Sequence, residues 1–172
     1  MKKLIYLLDK VSLCGGLFAA FTMVAGTLLI LTEVFVRTYL NSTTYIANEY
    51  PGYMCAAISS MGLGYTLSRK GHVRMTYAFA VFKGKLGIVW DILIHSLGLV
   101  FSACLVIVSW NFFYASYTNK TVSMQVSQTP LAIPQFFIVL GAVILFLQFI
   151  SEICKLMLAL KDDKDIRVSE GL

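Results

Sequence analysis

The sequence predicts an all-α integral membrane protein with four transmembrane helices and both termini in the cytoplasm. Three observations support this class. The 172 residues are 58% hydrophobic and 13% charged, which leaves too few charged side chains to cover a water-soluble core of this size. Four stretches stay apolar for about 20 residues, the length that one helical crossing requires. The basic residues gather in segments that would lie on one side of the membrane.

The apolar stretches predict helices at about 11–36, 49–68, 86–114 and 133–158. The first is free of charge from Val11 to Thr32. It is too long for a signal peptide and has no cleavage site of small residues, so we expect a retained helix. Pro134 suits the first turn of the fourth helix. Four crossings use roughly 80 residues, so we expect one membrane domain over residues 1–172, with 159–172 forming a polar cytoplasmic tail.

The positions of lysine and arginine predict the orientation. Twelve of the fourteen basic residues lie in the N-terminal tail, in the connection between the second and third helices, or in the C-terminal tail. The two loops on the other side carry only Arg37 and Lys120. Because short cytoplasmic loops are enriched in basic residues, both termini are expected in the cytoplasm. The net charge of +5 then reflects orientation in the membrane, and no nucleic-acid partner is expected.

A basic cluster, SRKGHVR at 68–74, follows the second predicted helix. We expect Arg69 and Arg74 near lipid phosphates, which makes phospholipid an expected partner. Residues 72–85 are too short to span a bilayer. We expect this segment to form either a short interfacial helix, with aromatic side chains at the headgroup boundary, or a plain cytoplasmic connector.

Charged side chains inside membrane segments need a partner, because insertion near the bilayer centre costs roughly 2.5–3.5 kcal/mol each. Three pairs have helical spacing: Glu33 with Arg37, Asp91 with His95, and Glu152 with Lys155. The first has the acid on the N-terminal side, the favourable order for an ion pair. The depth of Asp91 and His95 near the cytoplasmic side favours a structural ion pair over a proton relay.

Small residues are frequent in the predicted helices. They include the glycines Gly15, Gly16, Gly26, Gly62, Gly64, Gly98 and Gly141. In lipid, such residues let helix backbones approach closely. They predict close packing within this chain, and packing against a larger membrane partner is the second interpretation.

The chain carries a series of motifs in fixed order. The first is VFVRTYLN, which contains Arg37 and Asn41, and it is followed by Glu49 at the start of the second helix. The next is MGLGYTLSRKGHVRM, which contains Gly62, Arg69, Gly71, His72 and Arg74. The last is TPLAIPQF, which contains Pro134. Together with the length and the helix count, these motifs resemble the small membrane subunit of tripartite ATP-independent periplasmic (TRAP) transporters, the DctQ-like family. The resemblance covers most of the chain.

The resemblance implies a three-part importer in the bacterial inner membrane. In that family a large membrane permease subunit moves small organic acids by symport with sodium, and a periplasmic solute-binding protein delivers them. The small subunit is a non-catalytic scaffold, so the resemblance implies no cofactor in this chain and sodium in the large subunit. The polar residues available on the outer side are candidates for docking the binding protein: Arg37, Asn41, Glu49 and Lys120.

Other classes of protein fit less well. A self-contained small multidrug-type exporter needs an acidic residue inside its first helix, and Val11 to Thr32 has none. A four-helix adhesion or adaptor protein would have a long outer loop with paired cysteines, whereas all four cysteines here fall within or beside the apolar stretches. An enzyme is the least supported class, because the sequence shows no nucleophile–base pair, metal cluster or phosphate-binding loop.

Overall fold

The computed structural model describes residues 2–69 and 85–161, which form four long α-helices. The helices are α1 (Lys2–Leu40), α2 (Tyr50–Ser68), α3 (Lys85–Thr118) and α4 (Ala132–Lys161), with a short 3-10 helix at Ile46–Asn48. These described ranges contain no β-strand, and an isolated antiparallel bridge joins Val122 to Pro130 in the loop before α4. The prediction of an all-α protein is confirmed.

Three of the four helices are long and apolar enough to cross a membrane, over Lys3–Leu40, Trp90–Thr118 and Ala132–Leu158. The remaining helix, α2, has only 19 residues, and these include three tyrosines, three glycines and three serines that lower its mean hydropathy. The multi-pass character of the chain therefore rests on α1, α3 and α4. The fourth crossing and the cytoplasmic termini stay predictions.

α4 lies at the centre of the bundle. It packs against α1, α2 and α3, while α1 and α2 also pack against each other and α3 packs chiefly against α4. The buried core joins Ala19 of α1, Met61 of α2 and Ile144 of α4. Residues 41–49 join α1 to α2, and residues 119–131 join α3 to α4. Ser127 donates to the Glu49 carboxylate, so the two connections lie at the same end, here called the loop end. The start of α1 and the last turns of α2 and α4 form the opposite, terminal end.

Glycines determine how closely the helices approach. A methyl group at Gly141 of α4 would lie 2.4 Å from the carbonyl carbon of Ser60 on α2, nearer than non-bonded atoms approach. Gly64 and Gly98 likewise have no room for a methyl group. At Gly62, by contrast, the added group would meet nothing within 4 Å. Packing within this chain therefore explains most of the glycines, and Gly62 lies on a face that the described residues leave open.

The first helix begins earlier than the sequence indicated. It starts at Lys2 instead of near residue 11, because the prediction used only the charge-free run. Leu4, Leu7 and Leu8 continue the apolar pattern on the N-terminal side, so the helix includes Asp9. Residues 72–84 of the proposed interfacial segment and residues 162–172 of the predicted polar tail lie outside the described residues. Lys85 is the first residue of α3, and residues 159–161 belong to the end of α4.

Candidate interaction surfaces

Glu33 organises the loop that follows α1. Its side chain is buried, and its carboxylate accepts hydrogen bonds from Arg37 Nη2 at 3.2 Å, Thr43 Oγ1 at 2.6 Å and the Thr44 backbone N–H at 3.1 Å. The Thr44 hydroxyl also donates to it. A buried carboxylate requires such donors to replace lost water. Most of them come from the loop, so Glu33 holds residues 43 and 44 against the helix in addition to contacting Arg37.

Three of the four docking candidates are exposed at the loop end. The Arg37 side chain is 62% exposed, and it lines a shallow surface pocket together with Asn41, Ser42, Thr43 and Tyr45. The third candidate, Lys120, is also exposed but does not line this pocket. Arg37 and Asn41 therefore lie together, while Lys120 belongs to the neighbouring loop.

Glu49, the fourth docking candidate, is buried instead of exposed. Its carboxylate accepts hydrogen bonds from the hydroxyls of Tyr53 and Ser127, and Ser123 is a further hydrogen-bond partner. Burial alone would raise the pKa of this carboxyl, but these hydrogen bonds outweigh it and hold the pKa below the usual 4.5. Glu49 thus joins the loop before α4 to the start of α2. This geometry favours a structural role.

A polar cluster joins α1 to α4 at the terminal end. Asp9 Oδ1 accepts from Gln148 Nε2 at 3.0 Å, Ser151 Oγ at 3.2 Å and Lys155 Nζ at 2.9 Å. Lys155 also donates to Glu152 at 2.8 Å, the pair that the i,i+3 spacing suggested. Sequence reasoning missed Asp9, because the acid lay before the predicted start of the first helix. The available signal was the run of leucines on its N-terminal side.

The second predicted ion pair lies where α3 meets α4. His95 is buried, and its ring lies edge-on to Phe149 of α4, with centroids 6.2 Å apart. Its Nδ1 lies 2.8 Å from the backbone oxygen of Asp91. This contact involves the Asp91 backbone, so the ion pair between the two side chains stays a prediction.

Arg69 is the described member of the basic family motif. Its backbone N–H donates to the Tyr65 carbonyl at 3.0 Å, and its guanidinium carbon lies 5.6 Å from the centroid of the Tyr65 ring. The side chain therefore remains at the last turn of α2. Gly71, His72 and Arg74 lie outside the described residues.

Large apolar faces remain uncovered along two helices. On α1 they include Leu17, Phe21 and Val24, and on α3 they include Leu97 and Phe101, all exposed within this chain. Since α3 packs chiefly against α4, much of its surface is left for lipid or another protein. In a bilayer both are suitable neighbours for apolar side chains.

Comparison with known protein families gives a match to this chain. A family model described as "Tripartite ATP-independent periplasmic transporters, DctQ component" matches residues 26–159. The matched region begins within α1 and extends through both loops into the end of α4, so it contains the Glu33 and Glu49 contacts. No curated protein and no solved structure matches the chain.

Proposed function

The chain belongs to the DctQ component family of tripartite ATP-independent periplasmic transporters, and from this membership we propose that it is the small permease subunit of a sodium-coupled importer of small organic acids. The observation that carries the proposal is the family match, which includes parts of all four helices. We place the subunit in the bacterial inner membrane, where a periplasmic binding protein can reach its loop end.

The positions of the acidic residues support a scaffold role without catalysis or ion transport of its own. Asp9 and Glu152 lie at the terminal end, and Glu33 and Glu49 lie at the loop end. Asp91 lies near the start of α3. The middle of the described bundle thus carries no carboxylate of the kind that ion-coupled transporters place near the bilayer centre. We therefore assign the sodium site to the large subunit. From the family membership we also propose that this chain needs no cofactor.

We assign the uncovered apolar faces to contact with the large permease subunit. The test is to express an affinity-tagged chain together with its neighbouring genes and to purify it in a mild detergent. A much larger membrane protein should co-elute in constant proportion, and it should be missing when the tag is omitted. A folded chain that elutes alone from membranes containing both proteins would contradict this assignment.

We also assign the fourth crossing to α2. Its 19 residues are long enough for one crossing. Its contacts with α1 and α4 bury Ala57, Met61 and Gly64, and the Ser60 hydroxyl donates to the Phe137 carbonyl of α4, so this polar group has a partner inside the bundle. Alkaline phosphatase, which is active only outside the cytoplasm, tests this topology. A fusion after Ser123 should be active, whereas fusions after Met75 and after Leu172 should be inactive. An active fusion after Met75 would mean that α2 does not cross.

For the binding protein, we assign docking to the exposed polar residues of the loop end. Charges at the edge of an interface mainly change the association rate. Replacing Arg37 and Lys120 together by glutamate should therefore lower uptake roughly tenfold while the complex with the large subunit stays intact. Lys3→Glu, a charge reversal at the opposite end, is the matched control. Unchanged uptake in the double variant would remove both residues from the docking surface.

A further inference from the structure

A crevice opens between α1 and α2 at the terminal end. Its volume is about 330 Å³, and it is lined by Tyr6, Asp9, Lys10, Leu13, Tyr65, Ser68 and Arg69. We propose that this terminal crevice binds the headgroup of one anionic phospholipid. The proposal requires only that the chain lies in a membrane, and it is independent of the transport function.

Two cations give the terminal crevice its charge. Lys10 and Arg69 are both exposed, and within residues 2–69 and 85–161 neither forms an ion pair with a carboxylate. Arg69 is also positioned, because its guanidinium lies over the Tyr65 ring and the cation–π contact restricts its rotamers. A phosphodiester between the two side chains would receive charge-assisted hydrogen bonds from both.

The acid in the terminal crevice does not cancel this charge. Asp9 accepts hydrogen bonds from Gln148 and Ser151 and pairs with Lys155 at 2.9 Å, all on the α4 side. The charge of Asp9 is therefore compensated by Lys155, which does not line the crevice. Lys10 and Arg69 are left to attract an anion.

The surroundings favour a lipid over a soluble anion. Tyr6 and Tyr65 combine an aromatic ring with a hydroxyl, as is typical of residues at the headgroup level. Lys10 also lines a second, apolar groove, where its neighbours include Leu7, Val11 and Phe18. A phosphate bound beside Lys10 would thus have an apolar path for its acyl chain, a feature that inorganic phosphate does not need. Basic pockets between transmembrane helices are known to bind anionic headgroups.

Native mass spectrometry of the full-length chain in detergent tests the proposal. Titration with phosphatidylglycerol should give one tightly bound lipid per chain, and phosphatidylcholine should bind at least tenfold more weakly. The double variant Lys10→Gln with Arg69→Gln should lose at least tenfold in affinity for phosphatidylglycerol. Lys3→Gln, which removes one charge from the same end outside the crevice, should stay within twofold of the unmodified chain.

Two further measurements test the role of Arg69 and distinguish a bound lipid from bound free phosphate. Arg69→Lys keeps the charge but loses the planar contact with Tyr65, so we expect an intermediate affinity. Inorganic phosphate at millimolar concentration should fail to displace the lipid. The proposal is overturned if the double variant binds phosphatidylglycerol like the unmodified chain, if the two lipids bind equally, or if free phosphate competes. Equal thermal midpoints of the variants would show that lost binding does not reflect lost folding.

Discussion

The Lys155 ammonium of α4 lies 2.9 Å from the Asp9 carboxylate of α1, although 146 residues separate them in the sequence. The contact joins the first helix to the last at the terminal end. The two side chains are 31% and 36% exposed, respectively. Because solvent reaches both groups, the attraction is screened, and we expect it to contribute about 0.5–1 kcal/mol to the free energy of unfolding.

A double-mutant cycle measures this contribution. Asp9→Asn and Lys155→Gln each remove one charge, and the free energies of unfolding should show a coupling of about 0.5–1 kcal/mol between them. Denaturant titration in detergent micelles, followed by tryptophan fluorescence, gives the four free energies. The control cycle pairs Lys3→Gln with Lys155→Gln and should be additive. Additivity in the Asp9 cycle as well would mean that the pair contributes nothing measurable.

Gly141→Ala tests the close approach of α2 and α4. The added methyl group would meet backbone atoms of Ser60 at 2.4 Å, so the helices must move apart, at a cost of about 1–3 kcal/mol. Gly62→Ala is the matched control, since open space surrounds that position and alanine favours a helix by roughly 0.5–1 kcal/mol over glycine. We expect a lower thermal midpoint for Gly141→Ala alone. Equal midpoints for both variants would be incompatible with this packing.

The Glu49 contact should make the loop before α4 sensitive to acid. The pKa of Glu49 in the fold is below the usual 4.5, so its stabilising effect is complete above that value. It decreases as the pH falls further, and it is lost once the pH is below the lowered pKa. A nitroxide label on Met124→Cys, with the native cysteines replaced, should become more mobile in this range.

Two variants show whether Glu49 causes this transition. In Glu49→Gln, the label should already be mobile at neutral pH and should respond less to acid. Glu33→Gln, which changes the α1 carboxylate that holds the other loop, should leave the transition in place. A label whose mobility responds to acid in the same way in the unmodified background and in Glu49→Gln would argue against the proposed role of Glu49.

Local sequence patterns predicted the all-α class and the pairing of charged residues one helical turn apart. The length of an apolar stretch and an i,i+4 spacing can both be read from neighbouring residues. The pair of Glu33 with Arg37 has such spacing, and the structure places the two groups 3.2 Å apart. The hydroxyls that reach Glu33 from the loop, and Ser127, which reaches Glu49 across 78 residues, depend on loop conformation. No periodicity predicts such a contact. Glu49 therefore looked like an outer polar residue, although its carboxylate is used within the fold.

The central claim is that this chain supports transport without performing it, and reconstituted uptake tests that claim most directly. Liposomes would contain this chain alone, the large membrane subunit alone, or both, with the binding protein outside and an inward sodium gradient. Labelled substrates would include a dicarboxylate, sialic acid and a sulfonate. We predict sodium-dependent uptake of one of them only when all three proteins are present. Uptake by liposomes that contain this chain alone would contradict the account.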